Sequence, residues 1–215
     1  MKYQAVLFDM DGTVLDTLDD LHDAVNISFQ HFGFPPVSRN LVRANLGNGA
    51  VYLIRHCLPS SATETQAEKV ISWYKDYYDA HCQIKTAPYP GIPELMQNLR
   101  KKHIKLAIIS NKPDSAVQEL AQRFFPGLTE VVVGESPSVR RKPNPDAVLA
   151  AAQYMNVPID RCVYIGDSEV DIQTAGNAGM DCISVVWGFR SRDELQKSGA
   201  TMLADSPEKL ELLLC

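Results

Sequence analysis

The sequence predicts an α/β fold: a doubly wound parallel sheet, interrupted after its first strand by a block of helices. Three observations predict it. Short runs rich in Val, Ile and Leu recur along the chain with little polar alternation, as strands buried on both faces do. Longer segments with apolar residues at helical spacing lie between them. One interval, from Asp16 to Thr86, carries helical patterns and no convincing strand.

The first run is Ala5–Phe8. In the interval that follows, Leu18, Leu21, Val25 and Phe29 share one helical face, and Val70, Trp73, Tyr74 and Tyr77 share another. Inserted between two strands, residues 16–86 read as a small helical cap domain over the strand ends, with residues 1–15 and 87–215 as the core. Pro88, Tyr89, Pro90 and Gly91 supply the return hinge, because Pro and Gly punctuate chain direction. The stripe Ile92, Leu95, Met96 and Leu99 then leads to the run Leu106–Ile109. Val117, Leu120, Ala121 and Phe124 precede Val131–Val133, and Val148, Ala151, Ala152 and Met155 precede Cys162–Ile165. Cys182–Val186 is the last run. Such alternation predicts a Rossmann-like core whose loops gather at the carboxyl ends of the strands.

Composition narrows the class. The chain has 215 residues, 45% hydrophobic and 22% charged, which suits a soluble globular protein with one substantial core. A formal net charge of −5, with no dense run of Lys or Arg, argues against nucleic-acid backbone binding. The five cysteines, Cys57, Cys82, Cys162, Cys182 and Cys215, are never spaced as CxxC and suit reduced thiols. No targeting segment and no transmembrane run is expected, which points to a cytoplasmic protein without a membrane partner, as a monomer or homodimer.

Four segments carry candidate chemistry. Asp9 and Asp11 follow the first run, and alternate residues of an extended chain point the same way, so both carboxylates address one small volume. Two carboxylates that close repel, unless one binds a proton or both meet a cation such as Mg²⁺, which takes oxygen ligands. Gly12 permits a tight exit turn, and Thr13 offers a hydroxyl and an N–H to an anion. After Cys162–Ile165 come Gly166, Asp167 and Asp171, with Asp167 placed to join a metal and Asp171 one helical turn on. Ser110 and Asn111 can donate to phosphate oxygens, and Lys142 can balance the charge. Each segment alone has a plainer reading: a solvated turn, a helix N-terminus, a cap or a surface lysine. Their conjunction, each after a strand-like run, favours a site.

These residues resemble the haloacid-dehalogenase-like hydrolase superfamily along essentially the whole chain. By that resemblance Asp9 is the nucleophile and Asp11 the general acid/base. Asp9, Asp167 and the main-chain carbonyl of Asp11 would hold Mg²⁺. Thr13, Ser110, Asn111 and Lys142 would bind phosphate, while Asp171 would orient Lys142 or sit behind the metal. Leu21 stands where sugar-phosphate mutase relatives carry His. The cap stretch Val42–Ala50 resembles phosphoglycolate phosphatases, with Arg43 and Asn48 as candidate specificity residues and Arg43 as reader of a substrate carboxylate. The resemblance implies a Mg²⁺-dependent phosphatase acting through an aspartyl-phosphate, with 2-phosphoglycolate favoured. Pyrophosphate, nucleotides, sugar phosphates or mutase chemistry are the alternatives, and a receiver-like phosphorylation switch is the non-enzyme one. A switch needs neither the helical insert nor an acid two residues beyond the nucleophile.

Overall fold

The computed structural model describes residues 2–214; Cys215 lies outside them. In chain order the strands are β1 Ala5–Phe8, β2 Leu15–Asp16, β3 Ala87–Pro88, β4 Lys105–Pro113, β5 Val131–Glu135, β6 Cys162–Gly166, β7 Asp181–Val185 and β8 Met202–Ala204. The helices are α1 Leu18–His31, α2 Arg39–Ala44, α3 Gly49–Cys57, α4 Glu64–His81, α5 Ile92–Lys101, α6 Asp114–Phe124, α7 Asp146–Tyr154, α8 Glu169–Ala178, α9 Arg192–Lys197 and α10 Pro207–Leu214.

Six strands form one sheet in the order β5-β4-β1-β6-β7-β8, and its pairings are parallel. The period of two along β1 explains the double winding. Ala5 and Leu7 pack with Val148 and Ala151 of α7 and Ala175 of α8 on one face. Val6 and Phe8 pack with Leu95 and Leu99 of α5 and Val117 and Leu120 of α6 on the other. The chain winds from β1 to β4 and β5, then crosses to β6 on the other side of β1. A crevice therefore opens at the carboxyl ends of β1, β4 and β6.

Helices α1 to α4 fall between β2 and β3. Leu18, Leu21, Val25 and Phe29 of α1 are buried, as their spacing predicts, and so are Val70 and Tyr74 of α4. The insert enters and leaves through an antiparallel ribbon that pairs Leu15 with Pro88 and Asp16 with Ala87. Buried Asp20 fastens the exit: its carboxylate accepts from the N–H groups of Lys85 and Thr86 and from the Thr86 hydroxyl, at 2.8–3.0 Å. Neither this ribbon nor β8 shows in the sequence pattern, because two or three residues are too few to display a period. The cysteines Cys57, Cys82, Cys162 and Cys182 are unpaired. Among the described residues no helix is long and apolar enough to cross a membrane.

Candidate active site

Asp9 closes β1 at the crevice, where its N–H donates to the Ile165 carbonyl of β6 at 2.8 Å. Its Oδ1 accepts from the Met10 N–H at 2.7 Å and forms an ion pair with Lys142 Nζ at 2.9 Å. Among the described residues its Oδ2 accepts no hydrogen bond, so one oxygen is held and the other is available. Lys142 is buried and also meets Asp171 Oδ1 at 2.7 Å and the Tyr164 hydroxyl at 3.0 Å. Asp171 is fixed in turn, because its Oδ2 accepts from the Ser168 N–H and hydroxyl at the start of α8.

Asp167 directly follows β6, with Oδ2 accepting from the Phe189 N–H at 2.6 Å and Oδ1 facing the Thr13 hydroxyl at 3.4 Å. One oxygen from each of Asp9, Asp167 and Asp171 lies within 4.8 Å of the others, and all three residues are buried. Desolvation dominates the electrostatics of Asp9 and Asp167. It pushes the Asp9 carboxyl up to about 7 and the Asp167 carboxyl well above the ordinary range, with Asp171 adding repulsion. Lys142 partly offsets this at Asp9. Three buried carboxylates against one ammonium, all offering oxygen, are a donor set fitted to a hard divalent cation. Room beside them is kept by Gly12: at φ +80°, a Cβ there would lie 2.3 Å from Asp167 Oδ2.

A cavity opens in front of Asp9. It is bordered by Asp11, Ser110, Asn111 and Lys112 from the sheet side and by Leu21, Leu46, Ala50, Leu53, Tyr74 and Tyr78 from the insert. Asp9, Asp11 and Ser110 all border it. The Asp11 side chain stands apart from the carboxylate cluster, and its Oδ1 lies 3.1 Å from Lys112 Nζ.

Other expected residues take different places. Asn111 spends its amide on main-chain groups: Oδ1 accepts from the Lys142 N–H, while Nδ2 donates to the carbonyls of Lys142 and Gly47. It clamps the lysine loop to the insert instead of presenting a free donor to phosphate. Thr13 turns its hydroxyl toward Asp167, and its carbonyl accepts from Trp187 Nε1 at 3.0 Å. Arg43 is exposed and does not border the cavity; its contact across the crevice is its carbonyl, which accepts from Arg190. Asn48 likewise engages through its carbonyl, which accepts from Arg141.

The sequence reading assigned no part to Lys112, the cation that the cavity does contain. The signal was present. In an extended strand Lys112 points with Ser110, just as Asp11 points with Asp9.

The haloacid dehalogenase-like hydrolase family matches residues 6–185. An N-acetylmuramic acid 6-phosphate phosphatase of Pseudomonas aeruginosa is 31% identical, over 98% of this chain and 94% of that protein. A phosphoglycolate phosphatase of Pseudomonas putida is 30% identical, over 93% of this chain and 75% of that protein. A crystal structure from Lactobacillus delbrueckii subsp. bulgaricus, provisionally assigned as a phosphoglycolate phosphatase, superposes with a TM-score of 0.95. It is 44% identical and covers 100% of this chain and 99% of that one. With its four strand-end segments gathered at one crevice, the chain belongs to the haloacid dehalogenase-like hydrolase family.

Proposed function

We propose that this phosphoric monoester hydrolase cleaves a small anionic phosphate ester, with 2-phosphoglycolate the favoured substrate, through an acyl phosphate on Asp9. The observation that carries the reading is Asp9 itself: a buried carboxylate at the head of the cavity, one oxygen held by Lys142 and the other unengaged.

In the first step the Asp9 carboxylate attacks phosphorus, a P–O bond to Asp9 forms, and the bond to the leaving oxygen breaks. Asp11 delivers its proton to that oxygen. In the second step Asp11 takes a proton from water, whose oxygen attacks phosphorus; the Asp9–phosphate bond breaks and inorganic phosphate leaves. Lys142 offsets charge on the phosphoryl oxygens, and Ser110 donates its hydroxyl to one of them. Asp9, Asp167 and the Asp11 main-chain carbonyl would hold Mg²⁺, which would supply further positive charge to the phosphoryl group. Asn111 and Asp171 keep Lys142 in place.

Residues 16–86 act as a cap domain in this reading, carrying apolar walls over the reacting atoms and excluding bulk water. A reducing, cytoplasmic setting agrees with the unpaired cysteines.

Kinetics on a panel test the substrate: 2-phosphoglycolate, N-acetylmuramic acid 6-phosphate, pyrophosphate, nucleoside monophosphates and hexose phosphates. The highest kcat/KM should fall to phosphoglycolate. A clear lead for any other member overturns that choice and leaves the Asp9 chemistry standing.

A further inference from the structure

Lys112, 5% exposed at the end of β4, borders the cavity with an incomplete set of partners. An ammonium carries three donors. Nζ of Lys112 donates to the Tyr78 hydroxyl at 2.5 Å and sits 4.2 Å from the centroid of that ring. Burial holds the Tyr78 hydroxyl well above its ordinary pKa, so this partner stays neutral. Among the described residues its countercharge is Asp11 Oδ1 at 3.1 Å, and that contact lacks hydrogen-bond alignment, because this buried oxygen accepts from no donor. Two N–H groups of Lys112 are left for a ligand.

A buried cation short of partners is unfavourable unless something anionic completes it. The remaining insert walls, Leu21, Leu46, Ala50, Leu53 and Tyr74, offer no charge to do so.

We propose that Lys112 is the specificity-determining residue on the leaving-group side, pairing with a single carboxylate carried on the carbon bonded to the ester oxygen. The inference rests on the phosphatase reading above and names the group that selects its substrate. Charge complementarity favours a monoanion: Lys112 is the one cation among the described residues bordering this cavity, so a second phosphate would bring more negative charge than it can match. Hexose hydroxyls would leave water for apolar walls without partners, which is costly.

The test compares two substrates in three proteins: 2-phosphoglycolate and ethyl phosphate, with the unaltered chain, Lys112→Met and Lys112→Gln. A lost charge-assisted hydrogen bond should lower kcat/KM for phosphoglycolate by about 10- to 100-fold. Ethyl phosphate, which has no carboxylate, should change by less than about threefold. Melting curves identify a variant that fails to fold, and the second replacement then carries the comparison. Equal losses on both substrates would overturn the proposal by making Lys112 a support for Asp11 or Tyr78; no loss on either would overturn it too. Both results leave the phosphatase reading intact while acid quenching still traps phosphate on Asp9. If the unaltered chain turns over without any phosphate on Asp9, that reading falls, and this inference with it.

Discussion

Two buried lysines serve the site, Lys112 bordering the cavity and Lys142 paired with Asp9, and they are finished differently. On the phosphate side, Lys142 meets Asp9, Asp171 and Tyr164, and Asp171 is itself held by Ser168. On the leaving-group side, Lys112 has a phenol and one misaligned carboxylate. A completed cation holds a fixed charge in a fixed place, which suits the phosphoryl group that every substrate presents. An incomplete one favours ligands that bring the missing charge. In the proposed reading the phosphoryl charge falls to Lys142 and the choice of substrate to Lys112.

The sharpest break of this comparison is Lys142→Met. It strands Asp9 and Asp171 as buried carboxylates without their cation, a loss of about 3–5 kcal/mol in stability for a broken buried pair. Urea denaturation should show it, and kcat should drop by roughly 10²–10³ on every ester tested, charged or not. A loss confined to carboxylate-bearing substrates would reverse the roles assigned to the two lysines.

Protons and metal give a smaller effect with a definite sign. Asp9 is pushed up to about 7 in the folded chain, and Asp167 is raised as well, both chiefly by desolvation. A carboxyl raised on folding contributes stability that is fully present below its unfolded pKa of about 4 and is lost as pH rises through the folded value. Metal-free protein should therefore lose melting temperature between roughly pH 5 and pH 8. Mg²⁺ should restore it more at the upper end, where it no longer competes with protons. Thermal melts with chelator and with Mg²⁺ check this, and an equal Mg²⁺ shift at both pH values would count against the carboxylate cluster as its site.

Arg43→Ala should have the smallest effect. With its side chain exposed and outside the cavity, the change in kcat/KM for phosphoglycolate should stay within about threefold. A selective tenfold loss would return the carboxylate to Arg43 and leave Lys112 without its proposed role.

What was legible in the sequence followed from periods. β1 and β6 are apolar at every position, so their boundaries nearly coincide with the runs Ala5–Phe8 and Cys162–Ile165. The residues closing these strands, Asp9 and Asp167, are positioned by the backbone and were visible for the same reason. Side chains that choose among distant partners were not. Asn111 looks like a phosphate donor until Gly47, 64 residues away, and Lys142, 31 away, occupy its amide. Arg43 looks like a substrate cation until the placement of α2 leaves it in solvent. Lys112 shares its face of the strand with Ser110, but only the insert shows that Tyr78 and Asp11 leave it incomplete.

The central claim is that phosphate passes through a covalent bond to Asp9. Rapid acid quench of the Mg²⁺-supplemented enzyme during turnover of radiolabelled phosphoglycolate tests it most directly, with peptide mapping of the label. The account predicts label on the peptide containing Asp9 in the unaltered chain and none in Asp9→Asn, which should also be inactive. Full turnover with no trapped phosphate at any quench time, or label retained in Asp9→Asn, would contradict it.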